Sequence, residues 1–92
     1  MAIRVRLIGD LRRFVDSELV NIEGGSQTLS STLRELARLH PRLGKELFDQ
    51  QGRMHYAVVL MTNGHRLQWP DDEERLIENG GELLLTRFHS SG

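Results

Sequence analysis

Four histidines, His40, His55, His65 and His89, are the first side chains here that could hold a metal or move a proton. Each lies in a different segment, and no two share the i, i+4 or clustered spacing of a metal site. No metal is expected. The run Asp71-Asp72-Glu73-Glu74 supplies carboxylates, but neighbours on a turn point in different directions. General acid–base catalysis needs two groups that converge, so the run reads as a solvated turn. Gly24-Gly25 and Gly80-Gly81 lack the G-x-x-x-x-G-K-S/T and G-x-G-x-x-G frameworks that cradle phosphates. Both read as turns, and no cofactor is expected. The chain has no cysteine, which excludes thiolate catalysis, disulfides and cysteine-ligated metals. What is left is the end of the sequence, "RFHSSG", either a frayed terminus or a working part. Gly92 has no Cβ, so its carboxylate could thread a narrow channel and be approached closely by a nucleophile.

With no nucleophile–base pair, metal box or phosphate loop among these residues, an enzyme in its own right is not expected. Ninety-two residues make one domain, since two cores would each be too small, and even one buries only about 60–65% of its unfolded surface. Thirteen acids nearly balance 12 bases, so no basic field invites nucleic acid or an acidic membrane. Every base but Lys45 is arginine, which makes the chain a poor acceptor for chemistry on its own amines. "MAIRVRLIGD" interleaves arginines with apolar residues where a signal peptide needs an unbroken apolar run, and no stretch approaches the roughly 20 apolar residues of a membrane span. A cytoplasmic protein is expected.

The elements that must position the terminus follow from periodicity. "AIRVRLI" alternates, with Ile3, Val5 and Leu7 on one face and Arg4 and Arg6 on the other, as in a half-buried strand. "GDLRRFVD" connects it, through the anchors Leu11 and Phe14, to a second strand "SELVNIE", giving an opening hairpin. In "TLSSTLRELARLH" the residues Leu29, Leu33, Leu36, Ala37 and Leu39 or His40 form one helical stripe, with Thr28 as N-cap and Pro41 as the stop. "RLGKELFDQQGR" reads as a loop with a single helical turn pinned by Leu43, Leu47 and Phe48. "HYAVVLMT" reads as a strand buried on both faces or nearly so, turned by Asn63-Gly64 into the edge strand "HRLQW". Trp69 is expected at the rim of the core, Leu76 and Ile77 are expected to tuck inward, and "ELLLTRF" is the final strand. Arg4 and Arg6, with Arg87 nearby, suggest a basic strip on an open sheet face. The order is strand, strand, helix, strand, short strand, strand, an α+β roll.

"IRVRLIGDLR", "TLSSTLRELARLHP", "VVLMTNGHRL" and "LIENGGELLLTRFHSSG" occur in the order and spacing of the MoaD/ThiS family, which the whole chain resembles. The longer loop "ELFDQQGRMHY" looks more like the MoaD type, the small subunit of molybdopterin synthase. The resemblance implies a ubiquitin-like β-grasp: a mixed sheet of four to five strands, the last near its middle, with one main helix across one face. It implies a domain over residues 1–86 and a flexible tail over 87–92. By the same mapping Gly92 is the reactive residue, and Arg87, Phe88, His89, Ser90 and Ser91 meet the partner. The family's terminal glycine is adenylated by an activating enzyme related to the ubiquitin activators, then thiocarboxylated to donate sulfur within a larger, MoaE-like synthase subunit. Three features depart from the pattern: Ser91 stands at the penultimate glycine, "RFHS" precedes it where the family often has a proline or two, and Gly81 stands where an aspartate is usual. Two other expectations therefore stand beside the carrier: a non-catalytic ubiquitin-like binding module that has lost its Gly-Gly terminus, and a modifier conjugated to proteins through Gly92.

Overall fold

The structure, a computed structural model, describes residues 1–88. Strand β1 (Ala2–Leu7) buries Ile3, Val5 and Leu7 completely and turns Arg4 and Arg6 to the opposite face. It pairs antiparallel with β2 (Leu19–Glu23), aligning Ile3 with Ile22 and Val5 with Val20. The connection contains a 3₁₀ segment, Gly9–Phe14, whose Leu11 is buried and whose Phe14 packs on the core, as the sequence leads one to expect.

A second hairpin joins β4 (Val58–Thr62) to β5 (His65–Leu67). Its turn needs positive φ at two successive residues, and Asn63 and Gly64 sit at 51° and 77°. Val58 and Leu60 face the core, while Val59 and Met61 are only half-buried on the open face. The last strand, β7 (Glu82–Arg87), lies between the hairpins, parallel to β1 and antiparallel to β4. The sheet order is β2-β1-β7-β4-β5, mixed and five-stranded, with the last strand in the middle.

Helix α1 (Leu29–Leu39) crosses one face of this sheet. The Thr28 hydroxyl accepts from the Ser31 amide at 3.0 Å, satisfying one orphan donor of the first turn. Leu29, Leu33 and Leu36 are fully buried, and the stripe stops there: Leu39 is exposed and His40 half-buried, because the chain leaves the helix at His40. The expected continuation of the stripe to Leu39 or His40 is therefore corrected.

Pro41 does more than end α1. It opens a second helix, α2 (Pro41–Leu47), where a loop with one turn was expected. Proline suits a first helical position because its missing amide would be unpaired there anyway. Leu43 and Leu47, one turn apart, are both fully buried. Gly44 allows the close approach: a Cβ on it would lie 2.8 Å from the Cβ of Ala37 on α1.

A small second sheet pairs β3 (Gln27–Thr28) with β6 (Leu76–Ile77). Strand alternation puts these two neighbours on opposite sides, so Ile77 is buried while Leu76 is 58% exposed. Only one of the expected inward pair is inside. Trp69 is part-buried at the core's rim, edge-on to Phe48 with ring centres 5.5 Å apart.

Candidate functional site

Along β7 the core face carries Leu83 and Leu85, both fully buried, and the next residue in that register is Arg87, opposite Val58 of β4. A guanidinium at the end of an apolar stripe needs anionic partners, since an unpaired charge taken from water is costly. Asp10 from the 3₁₀ segment and Glu46 from α2 supply them. Arg87 Nε donates to Asp10 Oδ2 at 3.0 Å and Nη1 to Glu46 Oε1 at 2.9 Å, while Nη2 also bonds Asp10 Oδ2. The side chains of Arg87 and Asp10 are only 14% and 13% exposed. The hydrogen bond that Arg87 donates to Asp10 raises the arginine pKa above its ordinary value; burial opposes this and Glu46 adds to it. Three elements meet on one side chain.

The next residue is held on its other side. The Phe88 amide donates to the Ala57 carbonyl at 3.0 Å. Its ring, in a residue 47% exposed, meets Tyr56 edge-on with centroids 5.9 Å apart, and Tyr56 stacks on His55 at 5.0 Å. Arg87 closes β7, and Phe88 is anchored by its backbone amide. His89, Ser90, Ser91 and Gly92 lie outside the described residues.

The expected basic strip divides. Arg4 and Arg6 align with Glu82 and Leu84 on the open face, while Arg87 has the parity of the core face. Arg6 is also largely neutralised, with Nε on Glu82 Oε1 at 2.9 Å and Nη1 3.4 Å from Glu18 Oε1. That hydrogen bond from Arg6 holds the Glu82 carboxyl below its ordinary pKa, against a smaller opposing effect of burial.

Among the described residues no group of three His, Cys, Asp or Glu side chains could hold a metal ion. The acidic run is a turn in which the Asp72 carboxylate accepts the Gln68 amide at 2.7 Å. A polar cleft of about 330 Å³, lined in part by Asn63, His65, Arg75 and Asn79, opens at the other end of β7, away from the anchored Arg87 and Phe88. No helix among the described residues is long and apolar enough to cross a membrane.

No protein-family model matches the chain, and no curated protein matches it either. Solved structures do. SAMP1 from Haloferax volcanii superposes with a TM-score of 0.85 at 24% identity over 100% of both chains. The fold is the ubiquitin-like β-grasp. CysO from Mycobacterium tuberculosis shares this β-grasp with a TM-score of 0.77 at 18% identity, over 95% of this chain and 99% of its own. A chain of the Amycolatopsis orientalis BexX/CysO complex gives 0.79 at 16%, over 99% and 100%.

Within this β-grasp, reading the sequence alone missed Asp10, Glu46 and Tyr56 as the groups that fix the end of β7. One signal was present: Arg87 continues the parity of Leu83 and Leu85, which marks a cation on a buried face. Gly81 closes the turn before β7 with its amide on the Glu78 carbonyl at 2.9 Å, and a Cβ there would meet that oxygen at 2.9 Å. The aspartate usual at this position would strain the turn.

Proposed function

We propose that this chain is a small sulfur carrier, not itself an enzyme, that works through the carboxylate of Gly92. The observation that carries this reading is the central strand's anchored end: β7 finishes at Arg87, and Phe88 is fixed yet half exposed with four residues still to follow. Those four residues span at most about 14 Å when extended, a short reach from a fixed root.

The chemistry runs in two steps on an activating enzyme related to the ubiquitin activators. A carboxylate oxygen of Gly92 attacks the α-phosphorus of ATP, pyrophosphate leaves, and an acyl-adenylate forms. A sulfide-level sulfur donor then adds to the acyl carbon and AMP departs, leaving a thiocarboxylate. The carrier contributes reach, an unhindered terminus and a contact surface in Phe88, His89, Ser90 and Ser91, while the Arg87 side chain is turned to its own acidic partners. A larger, MoaE-like synthase subunit would receive the sulfur for a molybdopterin-like or related biosynthetic product, in the cytoplasm. The likeness of the fold to CysO, found in complex with BexX, supports a carrier that works with a second protein.

Intact mass spectrometry after incubation with the cognate activating enzyme, ATP and a sulfur donor tests this. The expected result is exchange of one terminal oxygen for sulfur, abolished by Gly92→Ala or by extension beyond Gly92. An unchanged mass with no acyl-adenylate overturns it.

One neighbour favours a second reading, because SAMP1 is named a small archaeal modifier protein. The same adenylate could pass to a lysine amine, forming an isopeptide bond as AMP leaves. Lysine-linked adducts in cells, lost when Gly92 is deleted, would distinguish this fate.

A further inference from the structure

We infer that Arg87 is a positioning residue, which holds the root of the terminal segment in place through Asp10 and Glu46. The inference rests on the carrier reading and adds to it the device that aims the carrier's end.

Two consecutive residues are restrained from opposite sides. The side chain of Arg87 reaches the 3₁₀ segment and α2, and the Phe88 amide is bonded to Ala57 in the segment before β4. With two soft dihedrals per residue, fixing both residues sets the origin and direction of whatever follows. The position does not require a cation for packing. It lies in register with Leu83 and Leu85, where leucine would prolong the apolar stripe. An arginine there, with two carboxylates recruited from distant segments, ties the strand end to two further elements, which an apolar contact would do without direction.

Three variants of the full chain test this: Arg87→Leu, the pair Asp10→Asn with Glu46→Gln, and Arg87→Lys. Two measurements are made on each, amide exchange of Phe88 in the carrier alone, and kcat and KM for the carrier in pyrophosphate release by the cognate activating enzyme. Arg87→Leu and the double variant should both speed Phe88 exchange by about tenfold, as expected for losing charged hydrogen bonds, while Leu85 is unchanged. Both should raise KM about tenfold with kcat within about twofold, the mark of lost ground-state presentation. Arg87→Lys, able to meet one carboxylate, should fall between.

A raised KM in Arg87→Leu with a normal KM in the double variant would mean that Arg87 touches the partner directly, and overturns positioning. Unchanged Phe88 exchange overturns it as well, as does freed exchange with normal KM. Wild-type carrier that releases no pyrophosphate sinks the carrier reading itself, and Phe88 exchange then decides the clamp alone. If the double variant does not fold, Arg87→Lys against Arg87→Leu carries the same comparison.

Discussion

A single missing methyl decides how closely the two helices pack. The Cβ that Gly44 lacks would lie 2.8 Å from that of Ala37, and neither atom can swing away on a flexible stem. Gly44→Ala should therefore destabilise the fold by up to about 2 kcal/mol, because overpacking costs about 1–3 kcal/mol against the roughly 1 kcal/mol that alanine gains in helix propensity. Urea denaturation measures the difference, and Ala37→Gly in the same chain should recover much of it. At this scale the sequence was half legible. The parity of Arg87 can be read from "ELLLTR", but its partners stand 77 and 41 residues away in segments that carry no periodic signal pointing back to it. Ser91 and Gly92, the residues on which the proposed chemistry turns, are legible only as residue types at the terminus.

Elements were legible where they were long enough to repeat. Helix α1 shows three leucines at i, i+4 and i+7, and all three are fully buried. Leu36→Ala should cost about 2–5 kcal/mol, the usual range for emptying a buried leucine site, read from the shift in denaturation midpoint at unchanged slope. A loss below about 1 kcal/mol would mean the site collapses or that Leu36 is less essential to the core than its burial implies. Helix α2 escaped because its seven residues include Pro41 and Gly44, both punctuation marks in a sequence reading. Its helicity comes from tertiary burial of Leu43 and Leu47, which overrides local preference. Strands β3 and β6, two residues each, are too short to show any alternation.

The whole molecule responds to acid through its surface pairs. Glu82, Glu35 and Asp49 are all held below their ordinary pKa, the first two mainly by hydrogen bonds from Arg6 and Arg38, the third by the Arg53 amide. A depressed folded-state pKa means that the unfolded chain binds more protons in that range. The stabilisation is complete above the unfolded values, about 4 for these groups, and is lost as pH falls through the folded ones. Arg6→Gln should lower Tm modestly across the neutral region and converge with the parent chain in acid, so that the acid limb of a plot of Tm against pH is flatter. The effect should shrink in high salt, since these groups are exposed. A full acid limb in the variant would assign the acid sensitivity to other groups.

One feature of the sheet reaches further. Among the described residues β7 is the sole strand that hydrogen-bonds to both hairpins, and its parallel partner is β1, near the start of the sequence. Until that strand docks, the two hairpins share no ladder, so assembly waits on a contact between nearly the most distant segments of the polypeptide. Amide protons of β1, β4 and β7 should then exchange with one common opening free energy, whereas those at the β5 edge escape earlier. A protease that removed β7 would leave a pair of orphaned hairpins instead of a smaller stable sheet.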